Sequence, residues 1–130
     1  PPSEKLQFKA HSKAITYMSF GSRRDELITT STDFRVRIWG LLKDGSLLYE
    51  VEEASLVPCA IPTREPEGGL LIASEGKRQI APLLKLNIGD ECVQKVRLDR
   101  PVRCLALDAT GTRLVAGSSH GQVLCFDVAW

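Results

Sequence analysis

Two stretches of this chain place apolar and small residues at the same offsets, and that shared spacing constrains the fold more than any other feature. Counting from His11, Ile15 stands at +4, Phe20 at +9, Leu27 at +16, Thr29 at +18, Ser31 at +20, Asp33 at +22 and Trp39 at +28. Counting from Leu98, the same offsets give Val102, Leu107, Leu114, Ala116, Ser118, His120 and Phe126. Self-similarity at a fixed spacing marks a structural repeat, each unit being one supersecondary element that needs its neighbours to bury its faces.

Each unit reads as a β-meander. Short apolar or alternating segments are bounded by turn residues, and no stretch holds a helical apolar period for three turns, so the fold class is all-β. Leu6 to Lys9 reads as a leading strand, followed by Ala14 to Phe20, Glu26 to Ser31, Arg35 to Leu42 and Ser46 to Glu52. The turns between them are explicit: Gly21 to Asp25, Ser31 to Phe34, and Lys43 to Ser46, where Asp44-Gly45 favours a tight hairpin. A second unit offers strands over Leu56 to Ile61, Leu70 to Ser74, Gln79 to Leu86 and Glu91 to Leu98. Pro58 and Pro82 fall inside it, and since proline donates nothing to a ladder they belong at edges, strand starts or bulges. A third unit supplies Val102 to Asp108, Arg113 to Ser118 and Gln122 to Val128. The predicted organisation is therefore a closing strand of a preceding unit at 5–9, full units at 10–53 and 54–98, and an incomplete one at 99–130. Gly117-Ser-Ser-His-Gly121 lies between two strands and reads as a hairpin turn; a phosphate cradle would instead lead into a helix.

Bulk chemistry excludes several function classes. The 130 residues are 43% hydrophobic and 25% charged, which suits a globular chain. With 17 basic against 16 acidic residues, bulk charge gives no support for nonspecific binding to nucleic acid or to a membrane surface. No window reaches the roughly 18 apolar residues of a membrane span. The opening Pro-Pro-Ser-Glu-Lys lacks an apolar signal core, and a chain opening on Pro without Met reads as a trimmed piece. Cys59, Cys92, Cys104 and Cys125 form no CxxC pair and have no histidines at zinc-ligand spacing, so no metal or other cofactor is expected. Each lies in an apolar run and reads as a small buried hydrophobe, and reduced thiols suit an intracellular protein, nuclear or cytoplasmic.

Ala10-His11, Asp33 and Trp39-Gly40 give the first unit a resemblance to the WD-repeat (WD40) family, whose repeat is one four-stranded propeller blade with a Gly-His and a Trp-Asp signature. The resemblance implies a β-propeller segment of about three consecutive blades in an incomplete ring, because closed propellers have roughly four to eight blades. It also implies a hydrogen-bonded relay of His11, Thr29, Asp33 and Trp39, with Ser31, on the same strand face as Thr29, as the alternative hydroxyl. These residue types suit that task. A buried indole N–H needs an acceptor, a hydroxyl both accepts and donates, and an imidazole links the hydroxyl to a carboxylate that fixes its tautomer. Hydroxyl, imidazole and carboxylate also spell a Ser-His-Asp triad. The offsets to Ile15, Phe20 and Trp39 are those of a blade and serve no catalytic purpose, so the expectation is a non-enzyme. In the third unit Leu98, His120 and Phe126 occupy the histidine, aspartate and tryptophan positions, and in the second Lys77 and Leu83 occupy the last two. The relay is therefore expected in the first unit alone.

In the family, partners dock on the face made by the loops that enter a blade and those joining its second and third strands, or around the central channel. On this chain the resemblance places Lys13, Phe34, Arg35, Lys77, Arg78, Arg100 and His120 there. Phe34, an aromatic in a tight polar turn, either anchors a partner or folds back on its own blade. The basic residues either receive an acidic or phosphorylated segment or form a solvated mixed-charge rim with Asp33, Glu75 and Asp99. His120 either titrates at an interface or is simply solvated. The implied function is a non-catalytic protein–protein interaction scaffold whose partners include propeller blades beyond these residues. The alternative is a scaffold subunit of a ribonucleoprotein complex that contacts RNA phosphates through the basic loops.

Overall fold

The computed structural model describes residues 3–23, 25–52, 57–64, 68–73, 81–87, 93–98 and 102–128, the segments 81–87 and 93–98 as backbone strands. They form three antiparallel sheets. The first runs in the order β1 (Ile15–Phe20), β2 (Glu26–Ser31), β3 (Arg35–Gly40) and β4 (Ser46–Glu52). The second contains β5 (Cys59–Pro62), β6 (Gly69–Ala73), β7 (Ala81–Asn87) and β8 (Val93–Leu98), and the third β9 (Val102–Leu107), β10 (Arg113–Ser118) and β11 (Val123–Asp127). Every strand pairs with the next in sequence, so each sheet is a plain meander.

The sheets stack face to face, and strand alternation sorts the side chains between the two interfaces. Ala60, Leu70 and Ile72 of the second sheet pack with Val57 against Ile28, Val36 and Ile38 of the first. Their neighbours Cys59, Ile61, Leu71 and Ala73 point the other way, onto Val102, Leu105, Leu114 and Ala116 of the third. A sheet covered on both faces needs apolar residues at every position. That requirement accounts for β6, Gly-Leu-Leu-Ile-Ala, which is buried throughout. By contrast, Met18 (56% exposed) and Phe20 (73%) on β1 have no sheet in front of them among the described residues. Polar bonds add to the first interface: the Thr16 hydroxyl donates to the Val57 carbonyl at 3.2 Å, which leaves Thr30 as donor to Thr16 at 2.6 Å.

Several expectations need correction. Leu6 to Lys9 is not a strand; no ladder partner lies beside it among the described residues. Instead the Phe8 ring lies 5.0 Å from that of Trp39, centroid to centroid. β3 ends at Gly40, two residues early, and a 3-10 turn over Leu41–Lys43 follows. Asp44 and Gly45, both at positive φ, close that five-residue loop. Gly45 is required twice over, since a Cβ there would also stand 2.7 Å from the Phe8 ring. Pro82 is the second residue of the inner strand β7, opposite Arg97 of β8 and one residue outside the β6 ladder that begins at Leu83, so it stands at a strand start. Among the cysteines, Cys59 is buried, whereas Cys104 and Cys125 are exposed because they face away from the second sheet; Cys92 lies outside the described residues.

Candidate functional site

One end of the first sheet carries a chain of buried polar contacts. β2 presents Thr29 and β3 presents Trp39 on one face, and the loop before β1 delivers His11. Trp39 Nε1–H donates to Thr29 Oγ1 at 2.9 Å, Thr29 Oγ1 lies 2.7 Å from His11 Nε2, and His11 Nδ1 lies 3.0 and 3.2 Å from the two Asp33 carboxylate oxygens. The Asp33 carboxylate orients the ring: an ionised carboxylate only accepts, so Nδ1 carries a hydrogen toward it, and in the neutral imidazole Nε2 is then the acceptor of the Thr29 hydroxyl, whose oxygen accepts the Trp39 indole N–H. Thr29 and His11 are buried, with 1% and 5% exposure.

Asp33 fastens the turn as well. Its Oδ1 accepts the Arg35 backbone N–H at 3.0 Å, and its own N–H reaches Ser31 Oγ at 3.2 Å. Ser31 Oγ in turn donates to the Lys13 carbonyl, and Thr32 N–H donates to that of Ala14. Burial would raise the Asp33 carboxyl, but the His11 ring and the Arg35 N–H outweigh it and hold the group below its usual value of 3.8. The β2–β3 turn and the loop entering β1 are thus tied through one hydroxyl, one carboxylate and one imidazole.

This arrangement matches a nucleophile–base–acid order, yet it cannot do that chemistry. Thr29 Oγ1 is enclosed, in a residue 1% exposed, and is held between the indole and the imidazole. A nucleophile needs access to its substrate. The relay is a fastening.

The turn it fastens presents Phe34, whose ring-bearing residue is 41% exposed and whose φ is +68°. That backbone region normally takes glycine or asparagine, and a bulky aromatic there is an outlier. Lys13 is exposed on the entering loop. Arg35 is drawn aside: its Nε lies 3.5 Å from Glu50 Oε1, an oxygen it shares with Arg37 Nη2 at 2.8 Å. His120 is exposed in the β10–β11 turn, its N–H on Ser118 Oγ. Lys77, Arg78 and Arg100 lie outside the described residues. Sequence reasoning missed Arg37, which donates to the Ala10 carbonyl at 2.6 Å and stands 6.0 Å from the Trp39 ring centre. Its position two residues before Trp39, hence on the same strand face, was the available signal.

Comparison with known proteins agrees with this geometry. The family model described as "WD domain, G-beta repeat" matches residues 3–40 and 91–127. A chain of the solved "Crystal Structure of Mitotic Checkpoint Complex" superposes with a TM-score of 0.73 at 16% identity, over 93% of this chain and 39% of that one. At that identity the likeness speaks to the fold, and this chain spans well under half of that chain's length. Because the family match covers more than half of its residues, and its sheets stack as consecutive blades, the protein belongs to the WD40 repeat family of β-propellers.

Proposed function

We propose that the protein is a non-catalytic scaffold that docks other proteins at the relay end of its first blade, with Phe34 as the anchor. The observation that carries this reading is Phe34 itself: a large apolar side chain, two-fifths exposed, at a positive φ that glycine would occupy more cheaply. Backbone outliers of this kind persist where surrounding structure over-determines them, and aromatic residues dominate interface energetics. The relay supplies the over-determination by holding the residues on either side of Phe34. Lys13, exposed beside the turn, suits a partner with acidic residues flanking its apolar pocket. The further reading that basic loops contact RNA phosphates draws no support from the family match or the structural likeness.

A second part of the proposal concerns the faces that end the stack. Ile15, Met18 and Phe20 on β1 are exposed apolar residues, and on the third sheet Val123 is too. Further blades would cover both faces, since blades bury such faces only against neighbours.

Affinity capture of the full-length protein tests the docking role. Phe34→Gly should lose partners that the wild type retains, while Thr110→Ala, in the exposed β9–β10 turn, should keep them. An unchanged partner set in Phe34→Gly would refute Phe34 as the anchor.

A further inference from the structure

At the opposite end of the blades from Phe34, the first strands of the three sheets enclose a cleft of about 390 Å³, within the range of ligand pockets. Tyr17 of β1, Ile61 of β5, and Leu105 and Leu107 of β9 supply its apolar walls. Arg64 is the one formally charged residue lining it among the described residues.

Arg64 is seated rather than loose. Its Nε donates to the Asp108 carbonyl at 3.3 Å, and its stem lies over Gly111, where φ is +76° and a Cβ would stand 2.8 Å from Arg64 Cβ. With Nε held by a carbonyl, the Nη edge is the fork that can meet a carboxylate. The nearby Asp108 carboxylate does not neutralise it by contact. That group accepts from the N–H of Arg113 and Thr112 and from the Thr110 hydroxyl, bonds that hold it below its usual value and within its own turn.

An apolar cleft with a single positioned arginine fits one kind of occupant. We infer that it receives an extended peptide segment of a protein partner in which leucine-like side chains flank an acidic residue, the carboxylate meeting Arg64. This site is independent of the Phe34 reading, since the two lie at opposite ends of β1 and β2.

Fluorescence anisotropy on the full-length protein tests the inference with two labelled probes, Leu-Glu-Leu-Glu-Leu and Leu-Lys-Leu-Lys-Leu. The glutamate peptide should bind at least about tenfold more tightly, a difference typical of one charge pair at a groove. Arg64→Glu should abolish that preference, and Ala106→Trp, at an exposed lining position, should block both probes. Phe34→Gly should leave the affinity unchanged, so failure of the docking proposal and of this one are separately visible. Equal binding of the two probes, no binding up to about 1 mM, or an affinity indifferent to Arg64→Glu would overturn it.

Discussion

At the scale of residues, Thr29 decides whether the relay exists. Its hydroxyl is acceptor for one buried donor and donor to one buried acceptor, so removing it orphans both Trp39 Nε1–H and His11 Nε2. Thr29→Val keeps the shape and should cost about 2–4 kcal/mol in chemical denaturation, since each orphaned buried group costs roughly 1–3 kcal/mol. Ser31→Ala, which leaves the Lys13 carbonyl and the Asp33 N–H without the buried Ser31 hydroxyl, should cost about 1–3 kcal/mol. Asp33 adds a pH dependence with a definite sign. Its folded carboxyl titrates below the unfolded value of 3.8, so its contribution is fully present above that value and is lost as pH falls through the lower folded one. Thermal melts of wild type and Asp33→Asn should converge on acidification through that window; a constant gap would show that the carboxylate is not held by the relay. The relay residues were legible because their types and offsets stand in the sequence. Arg37 was not, because an arginine on a strand looks like any solvated surface residue until its partners are known.

At the scale of elements, strand alternation assigns residues one position apart to different interfaces. Ile72→Ala opens a cavity against the first blade and Leu71→Ala one against the third; each should cost about 2–5 kcal/mol. Because the two side chains point in opposite directions, the double substitution should lose close to the sum, within about 0.5 kcal/mol. A strongly sub-additive result in denaturant titration would mean that the two interfaces are one. Strand positions were legible from turn chemistry and apolar runs, as at Glu26–Ser31 and Arg113–Ser118, where sequence and structure share both ends. Two features were not. Leu6 to Lys9 alternates like a strand, but a strand exists through its neighbour, and a sequence does not say which neighbour is present. Cys104 and Cys125 sit in apolar runs like Cys59, yet only the stacking order determines that their face is the uncovered one. Buried Cys59, its thiol pushed up to about 11 mainly by burial, should resist alkylation at neutral pH in the native protein and react once it is denatured.

At the scale of the whole molecule, the account rests on blades stacked in sequence order. The middle blade shows what carries the fold. It lies mostly outside the two family-matched segments, yet it forms a four-stranded meander with the same pairing order as the first. A blade therefore forms without the signature residues, on apolar faces packed at both sides. The same logic makes the open face of β1 the place where the account is most exposed to test. Met18 is the only methionine in the chain and lies on that face, so its sulfur is a built-in probe of what covers it. Peroxide oxidation of Met18, followed by peptide mass spectrometry on the full-length protein in its native state and again in denaturant, reads that coverage directly. A further blade packed on β1 predicts native oxidation at least about tenfold slower than denatured. Oxidation at nearly the same rate in both states would mean that the face stays open, contradicting the proposed continuation of the ring.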